Sequence, residues 1–131
     1  MKFSIIINTH NQSNLIQKSV RSCFFSNKNK FEIIVVDTSN KINNLNFPNK
    51  KVKYFRIKQK YSQPEMNQMY KIYFGLKKSK GDFVLLLDGD DEFDKKKLIY
   101  FSNLCSRQTI IFNQDLPVLK NIYTNKRKLM K

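Results

Sequence analysis

Tryptophan is absent from this 131-residue chain, and glycine, proline, cysteine and histidine are scarce, at three, three, two and one. So little glycine and proline leaves small room for long loops, and no internal repeat or low-complexity segment stands out beyond the Lys/Asn-rich connections. Cys23 and Cys105 lie far apart in helical apolar patterns, with no CxxC pair and no histidine beside them. That excludes a visible cysteine metal or redox motif, and both read as buried, reduced thiols suited to the cytoplasm. No apolar run approaches the roughly 20 residues of a membrane span. Phe3-Ser4-Ile5-Ile6-Ile7 behind a single lysine is too short for the apolar region of a signal peptide. Acidic residues are also few. Ten Asp and Glu stand against 25 Lys and Arg, for a formal charge of +15.

What is present is enough for one core. The chain is 40% apolar and carries 17 Phe and Tyr, so it reads as a single packed domain over residues 1–116 with a basic tail over 117–131. The positive charge attracts polyanions such as phosphates, nucleic acid or an anionic membrane face. An abundance of Lys, Asn and Ile is also what an AT-rich coding sequence produces, so charge alone names no partner. The lysine-rich runs at 50–60 and 126–131 read as solvated faces. No RNA-binding motif accompanies them, and no specific nucleic acid is expected.

Hydrophobic periodicity orders the elements. Phe3 to Asn8 is a β-branched strand, and Ser13 is placed to cap a helix whose stripe is Leu15, Ile16, Val20, Cys23 and Phe24. Phe31 to Val36 is a continuous apolar strand of the kind covered on both faces, closed by Asp37-Thr38-Ser39-Asn40. Val52 to Ile57 alternates lysine with apolar residues, as an edge strand does. Ser62 to Lys80 predicts a helix with Pro64 in its first turn and an apolar stripe through Met66, Met69, Tyr70, Tyr73 and Leu76. Phe83 to Leu87 is the most hydrophobic piece and is predicted to be central; it runs into Asp88-Gly89-Asp90-Asp91. A third helix from about Asp94, with Leu98, Ile99, Phe101 and Leu104 inward, and a strand at Thr109 to Phe112 complete the expectation. Alternating strands and helices imply an α/β, mostly parallel sheet whose ligand lies beyond the carboxyl ends of the strands.

One feature at those ends carries chemistry. Asp88, Asp90, Asp91, Glu92 and Asp94 are five of the ten acids, packed into seven positions. Such crowding is relieved by a divalent cation, and two carboxylates after a buried strand can hold Mg²⁺ or Mn²⁺ with waters and phosphates completing the shell. The bound ion then neutralises a leaving diphosphate. Glu92 and Asp94 read instead as acids favoured by a helix N-terminus. Asp88 and Asp90 sit too early for that role. Gly89 between them suits a backbone that a ligand approaches closely.

Three stretches together resemble the family-2 glycosyltransferases of GT-A fold. Ser4-Ile5-Ile6-Ile7-Asn8-Thr9-His10-Asn11 is similar to the family's first strand and its "PTYN" turn. Phe31 to Ser39 is similar to "FEIIVVDDGS", and Gly75 to Asp91 to "GxxxAxGDYIxFLDADD". The resemblance implies a nucleotide-diphosphate sugar, a UDP-sugar first, with Mn²⁺ or Mg²⁺ and inversion at the anomeric carbon. It also implies that Thr9, His10, Asn11, Asp37, Thr38 and Asp88 line the nucleotide pocket and that Asp90, with Asp88, binds the metal. Thr38 replaces the second Asp of "VVDDGS", and Ile72-Tyr73 replace the Arg-Asn that commonly precedes Gly75.

Family members run on for about another hundred residues past the acidic turn, whereas Asp115 is the only carboxylate after Asp94 here. No catalytic base is identified. Three readings therefore stand: a glycosyltransferase that is very compact or completed by a second chain or oligomer, a truncated or degenerate domain that binds a nucleotide or sugar nucleotide without transferring the sugar, or a basic nucleic-acid or membrane-surface module that inherited the fold. For an active enzyme the resemblance places the work in the cytoplasm, at the inner membrane face, in a surface-polysaccharide type of pathway.

Overall fold

In the computed structural model, which describes residues 2–24, 30–41, 45, 47, 49–94, 96 and 99, four strands form one parallel sheet. They are β1 (Lys2–Thr9), β2 (Lys30–Asp37), β3 (Val52–Arg56) and β4 (Phe83–Asp88), hydrogen-bonded in the order β3-β2-β1-β4. Helix α1 (Ile16–Ser22) joins β1 to β2, and α2 (Pro64–Lys78) carries the chain from β3 across to β4. The fold is α/β, as the sequence predicts. The register pairs Ile5 with Ile33 and with Leu85, and Asn8 with Val36 and with Asp88, which levels the polar strand ends on one rim.

Because side chains alternate along a strand, each face of β1 and β2 serves a different helix. Phe3, Ile5, Ile7, Ile33 and Val35 cluster with Ile16, Val20 and Cys23 of the α1 segment. Ile6 faces α2, where an added Cβ on Gly75 would stand 2.6 Å from its Cγ2. Glycine lets the helix lie that close. Ile5, Ile6, Ile7, Ile33, Ile34, Val35 and Val36 are all fully buried, and each such side chain stabilises the fold by about 1.5–3 kcal/mol. Cys23 is buried and reduced, and burial pushes its thiol up to about 12.

Several local expectations are corrected. Ser13 does not cap α1; the helix starts at Ile16 without a side-chain cap, because the N–H groups of Leu15 and Ile16 are already satisfied by the Gln12 carbonyl. Leu15 is 42% exposed and lies off the stripe. Among the described strands β4 stands at the end of the sheet beside β1, where α2 delivers it. Its Leu86 is 51% exposed. The apolar stripe of α2 faces outward, because Asn67, Lys71 and Gly75 are the residues it buries. Lys96 and Ile99 are helical, yet Ile99 is 49% exposed rather than inward. Leu98, Phe101, Leu104, Cys105, the strand at Thr109 to Phe112 and the tail over 117–131 lie outside the described residues. No helix among the described residues is long and apolar enough to cross a membrane.

At the opposite rim a buried carboxylate ties three elements together. Glu32 accepts hydrogen bonds from Ser4 Oγ at 2.7 Å, Lys53 Nζ at 2.8 Å and the Lys80 backbone N–H at 2.6 Å. Burial alone would raise its pKa, but those bonds and the Lys53 charge outweigh it and hold the group at about 2 instead of 4.5. A depressed carboxyl pKa stabilises the fold above the unfolded value and ceases to do so as pH falls through the folded one. Glu32→Gln is therefore expected to cost about 3 kcal/mol at neutral pH. Urea titrations should show that cost shrinking between pH 4.5 and about 2; a cost independent of pH would contradict the linkage.

Candidate functional site

The order β3-β2-β1-β4 places the topological switch between β1 and β4, where crossovers leave in opposite directions and open a crevice above the strand ends. A cleft of about 290 Å³ lies there, lined by Asn8, His10, Gln12, Thr38, Gln59, Pro64, Asn67, Gln68, Lys71, Asp88 and Asp90. Of the residues predicted for the site, His10, Thr38, Asp88 and Asp90 face it. Thr9, Asn11 and Asp37 stand behind it and shape its walls.

Asp37 is the buried anchor. It has no exposed surface, and its Oδ1 accepts hydrogen bonds from the Ser39 backbone N–H at 2.7 Å and from Ser39 Oγ. Its Oδ2 accepts one from Tyr54 Oη at 2.6 Å. Burial first, and then the Asp37 carboxylate, raises the Tyr54 pKa, which keeps the phenol a donor. The loop after β2 is pinned further by Arg56, whose Nη2 donates to the Ser39 carbonyl at 3.1 Å.

That loop is stitched to the one after β1. Asn11 takes a left-handed conformation, φ 55°, which asparagine tolerates better than most residues. Its N–H donates to Ser39 Oγ at 2.8 Å, and its Oδ1 accepts from the Asn40 N–H at 3.0 Å. His10 Nδ1 donates to the Thr38 carbonyl at 2.9 Å, while Asn11 Nδ2 donates to His10 Nε2 at 3.1 Å. The two contacts select the Nδ1–H tautomer. The imidazole is thus fixed as part of the cleft wall.

Across the crevice, Asn8 Nδ2 donates to Asp88 Oδ1 at 2.6 Å, and Gln68 Nε2 donates to the same oxygen at 3.1 Å. The acidic turn is held by Gly89, whose N–H donates to the Asn8 carbonyl at 2.9 Å and whose carbonyl accepts from Ser19 Oγ at 2.8 Å. Glycine is required here for a reason other than ligand approach. A Cβ at position 89 would stand 2.6 Å from Thr9 Oγ1 and 2.7 Å from Thr9 Cβ and Gln12 Oε1. Gly89→Ala is expected to cost about 1–3 kcal/mol by overpacking. It should also shift Asp88 and Asp90 and weaken nucleotide binding by about tenfold, on the scale of a disturbed outer-shell contact. A thermal melt and a UDP titration that both match wild type would refute this.

Sequence reasoning missed Lys71. It is 5% exposed, lines the cleft and donates through Nζ to the Thr9 carbonyl at 3.1 Å. Burial lowers its pKa, while the charges of Asp37 and Asp88 oppose that shift. The available signal is the four-residue spacing of Asn67, Lys71 and Gly75, a polar face with a small residue turned toward the sheet. Gln12, Asn67 and Gln68 also line the cleft and were missed because amides carry little signal in a sequence.

Asp88 and Asp90 are exposed side chains that face the cleft. Asp88 Oδ2 and both Asp90 carboxylate oxygens take no hydrogen bond among the described residues. Hard oxygen donors open to the cleft fit Mg²⁺ or Mn²⁺ with waters and phosphate oxygens filling the other positions. No group of three or more His, Cys, Asp or Glu comes together among the described residues. Asp94 Oδ1 accepts from the Lys96 N–H at 2.9 Å, the bond of an acid at a helix start.

The sequence profile of Glycosyl transferase family 2 matches residues 4–109. The chain belongs to that family. It is 35% identical over 98 residues to the GalNAc(5)-diNAcBac-PP-undecaprenol beta-1,3-glucosyltransferase of Campylobacter jejuni, covering 70% of this chain and 30% of that protein. It is 29% identical over 133 residues to an uncharacterized glycosyltransferase of Mycoplasma genitalium, covering 86% of this chain and 41% of that one. The chain therefore spans well under half the length of these relatives. Among solved structures, residues 1–349 of S. aureus TarS in complex with UDP-GlcNAc superpose with a TM-score of 0.60 at 26% identity, covering 79% of this chain and 30% of that one. The complex of the same protein with UDP gives 0.59 at 25% identity, covering 79% and 31%. The family-2 glycosyltransferase fold is thus GT-A-like.

Proposed function

We propose that this chain forms the donor-binding part of a metal-dependent, inverting glycosyltransferase that takes a nucleotide-diphosphate sugar, a UDP-sugar first. The observation that carries the reading is the cleft at the β1/β4 switch point, where Asp88 and Asp90 meet the fixed His10–Thr38 wall. Two further facts support it. The TarS structures hold UDP-GlcNAc and UDP, and the C. jejuni relative is a glucosyltransferase.

In this reading the His10 ring and Thr38 form the nucleoside wall, and Asp37 acts behind them by holding the loop that shapes it. Asn8 and Gln68 orient Asp88 toward the ribose. Asp90, with Asp88, would hold Mn²⁺ or Mg²⁺. When bound, the ion supplies positive charge that stabilises the departing diphosphate. Inversion also needs a carboxylate to take the acceptor's proton. Among the described residues the acids lining the cleft are Asp88 and Asp90, both on the donor side, and we place the base and acceptor pocket outside the described residues, in the same chain or in a second subunit. The same observation favours a second reading, a domain that binds the sugar nucleotide without transferring it. The working place proposed for an active form is the cytoplasmic face of the membrane.

Calorimetry with UDP, GDP and CDP, with and without Mn²⁺, tests the shared part of both readings. One diphosphate is expected to bind in a metal-dependent way, and absence of nucleotide binding would sink both. Turnover of UDP-sugars then separates transfer from binding alone.

A further inference from the structure

Helix α2 uses only one side to pack on the sheet, through Asn67, Lys71 and Gly75. Met69 and Tyr73 stand two residues either side of Lys71, about 200° round the helix from it at 3.6 residues per turn. They point away from the sheet. Met66, Met69, Tyr73 and Leu76 are 46, 63, 56 and 44% exposed, and their spacing of three, four and three residues makes one continuous apolar stripe. Four large apolar side chains aligned on the outer face of a helix are more than scattered surface hydrophobes, and they mark an interaction site.

The rim of that stripe is basic. Lys77 Nζ lies 4.5 Å from the Tyr73 ring centroid, and Lys60 Nζ lies 5.5 Å from the Tyr70 ring. Lys77 is exposed in the last turn of the helix, and Lys80 is exposed beyond its end. From residue 38 to 81 the chain carries eleven Lys and Arg against a single acid, Glu65. An apolar stripe of Met, Leu and Tyr edged by lysines fits the boundary between lipid headgroups and acyl chains, with the ammonium groups reaching back to phosphates.

We propose that the outer face of α2 docks on an anionic lipid bilayer. Charge decides between this occupant and a second copy of the chain. Two copies would bring the same lysines together at a formal +15 each, whereas each lysine near an anionic surface raises partitioning by about fivefold. The docked face adjoins the cleft. Pro64, Asn67 and Gln68 of the same helix line it, so docking holds its mouth close to the headgroups. This inference rests on the surface of α2 and stands apart from nucleotide binding.

The test is flotation of the full chain with vesicles of equal parts phosphatidylcholine and phosphatidylglycerol, beside vesicles of phosphatidylcholine alone. Wild type is expected to float with the anionic vesicles only and to be released by high salt. Met69→Glu with Tyr73→Glu, and separately Lys77→Glu, should each lower the bound fraction at least tenfold while leaving the lipid-free melting temperature unchanged. Failure of wild type to float, or equal flotation of the variants, overturns the proposal. A lipid-free melting temperature lowered by Met69→Glu overturns it too, since the stripe would then be covered by the chain's own further residues. So does a wild-type dimer that Met69→Glu dissociates, which would make a second copy the occupant.

Discussion

Asp37→Ala is expected to lower stability by about 3–5 kcal/mol, because it leaves three donors without an acceptor at about 1–3 kcal/mol for each buried one. Asp37 is fully buried, and the change would leave the Tyr54 hydroxyl and both Ser39 donors without their acceptor. The effect should spread to the cleft, because Ser39 Oγ also receives the Asn11 N–H. Asp37→Asn keeps the shape and one accepting oxygen; a Tyr54 hydroxyl that rotates can accept from the new amide. Its cost should therefore be about 1–2 kcal/mol, a lost charge-assisted bond rather than a lost network. Urea denaturation of the two variants and of Tyr54→Phe checks this. A loss below 1 kcal/mol for the alanine variant would mean that the loop holds without the carboxylate.

The second large effect is on binding and leaves the fold alone. Asp90→Ala is expected to reduce Mn²⁺-dependent UDP binding by about 100-fold, the upper end of what even an outer-shell change costs a metal site. Asp90 is exposed and takes no hydrogen bond among the described residues, so stability should stay within about 0.5 kcal/mol of wild type. Asp88→Ala differs in kind, since it also strands the Asn8 and Gln68 amides. Titrating UDP with and without Mn²⁺ separates the cases. Unchanged metal dependence in the Asp90 variant would remove that residue from the metal proposal.

These two residues show how unevenly the site could be read. Both aspartates follow an apolar strand, and the family resemblance implies a site role for each, yet their surroundings differ. Asp37 is enclosed and works on its own loop; Asp90 stands open to the cleft. The difference lies in Tyr54 and Ser39, one on a neighbouring strand and one two residues on, which the register of β2 with β3 brings to the same carboxylate. The glycine of the acidic turn is similar. Position 89 was legible as special, but the atoms that require glycine there belong to Thr9 and Gln12, some eighty residues earlier.

The sequence by itself determined the four described strands and their parallel α/β arrangement. Runs such as Ile33 to Val36 are too apolar for any place but a sheet covered on both sides, and polar residues end each strand. It also determined the family, through three motifs in order, and the acidic turn on which the metal proposal rests. Only the tertiary structure decided which side of α2 is buried. Counting apolar residues favoured Met66, Met69, Tyr73 and Leu76, but a helix crossing above polar strand ends buries the side that can reach them. Lys71 and Asn67 satisfy carbonyls of the β1 end and of the 61–63 segment, and Gly75 allows close approach to Ile6. Hydrogen bonding and fit at a particular rim, which periodicity does not encode, outweighed apolar area and left the hydrophobic stripe facing out.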